Sequence, residues 1–79
     1  MHKLNLREII SANIRTFRKE EGLSQEEFAA RCGLHRTYVG SVERKERNVT
    51  LDTLDLFSGA MGVSAAELLT PQGKKGDGR

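Results

Sequence analysis

Residues 24–50 read SQEEFAARCGLHRTYVGSVERKERNVT, and this stretch decides the fold. Ser24 followed by Glu27 is a capping box, which opens a short helix from Gln25 to about Cys32. That helix buries Phe28, Ala29 and Cys32. Gly33 supplies the turn that follows, because glycine takes positive φ without a Cβ penalty. Leu34 fills the gap between the two helices. A second short helix runs from about Arg36 to Arg44 with Val39 and Val42 facing inward.

Outside this core stretch the pattern stays helical. Leu6, Ile10, Ile14 and Phe17 recur at i, i+4, i+8 and i+11 with Ile9 beside them, one apolar face of a long helix from Leu6 to Glu20 that Gly22 ends. After a loop from Lys45 to Val49, Thr50 is an N-cap for a fourth helix, Leu51 to Met61. Its inward residues are Leu51, Leu54 and one or both of Phe57 and Met61. Gly62 stops it. Ser64 and Glu67 form a second capping box, for a short fifth helix carrying Leu68 and Leu69. No segment alternates at period two, so the expected class is all-α with five helices. Residues 1–70 form one domain. Residues 71–79, PQGKKGDGR, have no apolar content and are expected to be a disordered tail.

Composition narrows the function. A chain of 79 residues buries a modest core and gains from oligomerisation. Cys32 is the single cysteine, which excludes an internal disulfide and fits a reducing compartment. The N-terminus has no signal-peptide pattern and no run approaches a membrane span, so the protein is expected in the cytoplasm, away from membranes. His2 and His35 are too isolated to suggest a metal site, and no cofactor motif is present. Catalysis has no foothold either: there is no Ser–His–acid set, Cys–His pair, phosphate-binding Gly loop or carboxylate cluster. The net charge is only +2, but it is unevenly spread. Residues 31–50 carry Arg31, Arg36, Arg44, Lys45 and Arg47 against Glu43 and Glu46, whereas residues 51–70 carry Asp52, Asp55 and Glu67 and no Lys or Arg. A polyanion would be drawn to the first segment and turned away from the second.

Two short helices around a glycine turn, the second opening on Arg36-Thr37-Tyr38 and trailed by cations, suit insertion into a DNA major groove. Arginine at the start of such a helix can donate twice to O6 and N7 of guanine. Thr37, beside it on the first turn, and Ser41 one turn further share a face at i and i+4. Gln25 opens the preceding helix, where free backbone N–H groups favour a phosphate. Arg44, Lys45, Arg47 and Asn48 follow as groups that fix register on the duplex without reading sequence.

The spacing LSQEEFAARCGL, then RTYVGSVER, then NVTLDTL resembles the Cro and phage-repressor type of helix-turn-helix domain. Within it, HRTYVGSVERKERN is similar to the controller proteins of restriction–modification systems, with R-T-Y opening the recognition helix and E-R…R-N after it. The resemblance covers about Ile9 to Leu69. It implies base reading or phosphate contact at Arg36, Thr37 and Ser41, and DNA-backbone contact by Gln25 and Tyr38. Arg47 and Asn48 match the controller R-N. Arg18 matches the usual ion-pair partner of Glu43, a structural pairing of helix one with helix three. Two positions depart from expectation. His35 is an N-cap without a short side-chain oxygen: its cap is weak or made by a neighbour, or the ring faces DNA and adds pH-sensitive charge. Gly40, inside the recognition helix, either permits a close approach or is a tolerated defect.

The function expected is a sequence-specific DNA-binding transcriptional regulator acting as a homodimer on a palindromic operator. One recognition helix reads too few base pairs to single out a genomic site. Met61, Val63, Leu68 and Leu69 are spare apolar residues for the dimer face. Double-stranded DNA is the principal partner, RNA polymerase is a further candidate, and no small-molecule effector is expected. The rivals are a phage-type autonomous repressor and an antitoxin-like protein-binding module.

Overall fold

The structure, a computed structural model, describes residues 5–72. They form five helices: α1 Leu6–Glu20, α2 Gln25–Cys32, α3 Arg36–Glu43, α4 Leu51–Met61 and α5 Ala65–Leu68. No strand occurs among the described residues. Most of the proposed tail, residues 73–79, lies outside them. Gln72, within them, donates to the carbonyls of Glu67 and Thr70.

Each helix starts where a side chain satisfies its free N–H groups. Asn5 caps α1, and Thr50 caps α4. Ser24 and Ser64 each close a complete capping box, with Glu27 and Glu67 reaching back to the cap N–H. The turn between α2 and α3 is closed by Gly33 at φ +75°, whose N–H and that of Leu34 meet carbonyls of the last turn of α2. That left-handed residue redirects the chain so that α3 crosses α2 and lands on α1.

The core is a single cluster. Phe28 and Phe57 stack with ring centroids 6.0 Å apart, and Phe17 tilts against Phe28 at 5.8 Å. Ile10, Ile14, Val39, Val42, Leu54 and Leu68 complete it. Burying these aliphatic and aromatic groups, each contributing roughly 1.5–3 kcal/mol, is the main stabilising term.

Three leucines depart from the sequence reading. Leu6 is 56% exposed and Leu51 80% exposed, although both fall on the apolar stripes of their helices. Each occupies the first position of its helix. Periodicity fixes the direction a side chain points, but not how far along the axis its neighbours extend. Leu68, expected as part of a dimer face, is 1% exposed and belongs to the core, because α5 folds back onto α1.

Polar contacts fix that return. Asn13, buried on α1, donates from Nδ2 to the carbonyls of Leu68 (2.8 Å) and Thr70 (3.0 Å) at the end of α5. No buried side-chain nitrogen or oxygen among the described residues lacks a hydrogen-bond partner.

Candidate nucleic-acid interface

The C-terminal end of α3 is clamped, and its N-terminal end is open. Glu43, the last residue of α3 and 5% exposed, accepts from Arg18 of α1 through two bonds of 2.7 and 3.0 Å, and from Gln25 Nε2 of α2 at 3.0 Å. Its backbone carbonyl accepts from Ser11 Oγ at 2.6 Å and Arg15 Nη2 at 2.9 Å. One residue thus ties three helices together. Burial pushes the Glu43 carboxyl towards its neutral form, but the hydrogen bonds from Arg18 and Gln25, with the charges of Arg18 and Arg15, overcome this and hold it below the usual glutamate range. The bond to Glu43 raises Arg18 in turn, against desolvation. Two arginines at a helix C-terminus also complement its dipole. The expected Arg18–Glu43 pairing is present. Ser11 and Arg15 were missed, since a serine and an arginine on a helix give no sign of a partner 28 to 32 residues away.

At the open end Arg36 and Thr37 are exposed. Arg36 lies 3.5 Å from Glu26 of α2, with both side chains mostly in solvent. Such a pair is worth about 0–1 kcal/mol and yields to a better anion. The N-cap His35 accepts the Thr37 N–H on Nδ1 at 3.0 Å, so the recognition helix is capped by its own histidine. Ser41 differs from expectation. It is 7% exposed and its hydroxyl donates to the Thr37 carbonyl at 3.0 Å, which commits its hydrogen to its own helix and leaves little of it in solvent.

After α3 the chain turns on Lys45, which adopts φ +65°. The Lys45 N–H meets the Val42 carbonyl and the Glu46 N–H meets that of Ser41, a Schellman closure with lysine where glycine is usual. Arg44 pairs with Glu46 at 3.1 Å in solvent. The Arg47 guanidinium lies over the half-buried Tyr38 ring, 5.3 Å from its centroid, a cation–π contact that ties the loop to α3. Asn48 is exposed, and its Oδ1 accepts from Arg7 Nε at 2.7 Å. Arg7 is a third residue that sequence reasoning missed: its partner is 41 residues away. Gly40 is buried where α2 crosses α3. A Cβ there would stand 3.2 Å from Arg44 Nη1 and 3.3 Å from Gln25 Oε1, so its role is close approach.

The structure therefore brings Gln25, Arg36, Thr37, Tyr38, Arg44, Lys45, Arg47 and Asn48 onto α3, the start of α2 and the adjoining loop, and removes Ser41 from the exposed set. Among the described residues no group of His, Cys, Asp or Glu could hold a metal ion. Cys32 is buried in the core, and desolvation pushes its thiol up to about 11, which leaves it an inert packing residue.

A capped, exposed helix start on a clamped scaffold is the geometry of a DNA-reading module, and residues 14–68 match the helix-turn-helix family. The chain belongs to that family. This helix-turn-helix protein is 51% identical over 74 residues to the control protein C.SmaI of Serratia marcescens, covering 94% of this chain and 88% of that one. It superposes on a hypothetical transcription factor from Neisseria with a TM-score of 0.82 at 46% identity, covering 89% of this chain and 79% of the other. The restriction–modification controller protein C.Esp1396I, solved as a tetramer on its natural 35-base-pair operator, matches with a TM-score of 0.73 at 34% identity over 85% of this chain and 92% of that one. The helix-turn-helix protein is thus a DNA-binding transcription regulator of the Cro/C1 type, similar to restriction–modification controllers. No helix among the described residues is long and apolar enough to cross a membrane.

Proposed function

We propose that this protein is a restriction–modification controller, which binds a palindromic operator as a homodimer in the cytoplasm and sets transcription of neighbouring genes. One observation carries the reading: α3 presents Arg36 and Thr37 to solvent while Glu43, at its other end, is held by α1 and α2. A rigid mount lets one side chain discriminate bases, because the helix cannot shift to accommodate a wrong one. Arg36 would leave Glu26 to donate to a guanine, and Thr37 would meet the adjoining base edge. Gln25, Tyr38, Arg44, Lys45, Arg47 and Asn48 would hold the flanking phosphates and fix register.

Two copies are needed, since one recognition helix spans only a few base pairs. Half-buried Met61, Val63 and Leu69, on the cation-free α4–α5 side, are the proposed dimer face. A two-fold axis there would set the paired α3 helices about 34 Å apart, one turn of DNA. RNA polymerase bound beside the operator is the proposed recipient of activation.

Selection of duplexes from a random-sequence library, with sedimentation of the free protein, tests this. The expected result is an enriched inverted repeat and a dimer. Failure to enrich any sequence would overturn base-specific binding, and an enriched single half-site bound by a monomer would overturn the homodimer.

A further inference from the structure

The histidine at the start of α3 carries a consequence for DNA contact. His35 Nδ1 accepts the Thr37 backbone N–H at 3.0 Å. A ring nitrogen that accepts carries no proton, so the capping imidazole is neutral with its proton on Nε2. Nε2 lies across the ring from the cap, and the residue is exposed. The cap therefore aims an N–H away from the helix, one residue before Arg36. The charged side chains that line the same shallow cleft are Glu26 of α2 and Arg36 of α3, and these two are already paired with each other at 3.5 Å. In the free protein the Glu26 carboxylate is engaged by Arg36, and the Arg36 guanidinium itself disfavours a second cation beside it. A charged ring would also lose the cap and place a cation at the positive end of the α3 dipole.

We propose that His35 is a DNA-contacting residue that acts as a neutral donor. Its Nε2–H bonds an acceptor atom of the duplex, in the tautomer that the Thr37 cap selects. This rests on the DNA-binding reading above and separates His35 from the arginines and Lys45 around it. A cation at a phosphate releases a counterion and steepens the salt dependence of binding, whereas a neutral donor adds affinity and leaves that slope unchanged.

Two measurements on the full chain test it. The first needs no DNA: long-range 15N–1H spectra of the free protein should give the Nε2–H tautomer at His35. A proton on Nδ1, or on both nitrogens, at neutral pH would overturn the proposal. The second compares wild type with His35→Ser, which keeps an N-cap oxygen but removes the ring. Binding is followed across a salt series on a duplex selected from the random library and on an unselected duplex of equal length. The expected loss is about three- to tenfold, the worth of one hydrogen bond, with the slope of log affinity against log salt unchanged and melting retained. Equal loss on both duplexes assigns the acceptor to a phosphate, and loss on the selected duplex alone assigns it to a base edge. Undiminished affinity, or a shallower slope, would overturn the proposal. Failure to select any duplex would instead count against the DNA-binding reading, with the tautomer result unaffected.

Discussion

Glu43 and Arg18 meet through two hydrogen bonds, Nε to Oε2 at 2.7 Å and Nη2 to Oε1 at 3.0 Å, where α3 ends against α1. Because the carboxylate is buried, removing its charge leaves Arg18 without its partner in a largely desolvated site. Glu43→Gln should cost about 3 kcal/mol. In a domain of this size that lowers the melting temperature by more than about 10 °C. The folded-state pKa of Glu43 lies below its unfolded value. Its contribution is therefore complete above the unfolded glutamate range and is lost as pH falls through the folded value. Melts of wild type and variant should converge below about pH 4, near the unfolded glutamate pKa. A constant gap down to pH 3 would contradict the pairing.

Lys45 holds a left-handed backbone at φ +65° in the closure that ends α3. Lysine pays roughly 1 kcal/mol for that conformation, which glycine avoids. Lys45→Gly should raise the melting temperature by a few degrees. The same change removes a cation from the proposed DNA face, so affinity should fall about equally on all sequences and the salt slope should drop by about 0.9. Stability and binding would move in opposite directions, as expected where strain sits at a functional surface.

How much of this was legible depends on distance along the chain. The capping boxes at Ser24 and Ser64, the left-handed Gly33 and the apolar faces around Ile14, Phe28 and Val39 depend on residues within a turn or two of each other, and all are found. The exposure of Leu6 and Leu51 depends on where neighbouring helices stop, which periodicity does not encode. The burial of Leu68 depends on the return of α5 onto α1, fixed by Asn13, 55 residues away. At the site, Arg18–Glu43 was recovered through family resemblance. Ser11, Arg15 and Arg7 have no local signature and emerge only once the helices are packed. Ser41 shared a face with Thr37 in projection, yet its short hydroxyl reaches its own helix first.

Arg36 and Gln25 should separate base reading from backbone holding. Arg36→Ala removes the exposed guanidinium at the helix start and should cost about 1–3 kcal/mol on the selected duplex, with relaxed preference at one base pair. Its solvent pair with Glu26 offers little competition, so stability should change by less than about 1 kcal/mol. Gln25→Ala should weaken binding to selected and random duplexes alike. Gel shifts on both duplexes in rising salt distinguish the two, and equal losses for Arg36→Ala would remove it from the base readers.

Gly40 poses two opposed effects of similar size. Alanine in a helix interior is favoured over glycine by about 1 kcal/mol. Against this, its Cβ would stand 3.2 Å from Arg44 Nη1 and 3.3 Å from Gln25 Oε1. Arg44 is exposed and can move aside at little cost. Gln25 has less freedom, because its amide is bonded to Glu43 at 3.0 Å. Gly40→Ala should therefore leave the melting temperature within a few degrees of wild type, while displacing both side chains that flank the start of α2. Affinity should fall severalfold on every sequence with base preference intact. A variant that melts higher and binds as well as wild type would mean that Gln25 and Arg44 do not hold phosphates in the positions they occupy here.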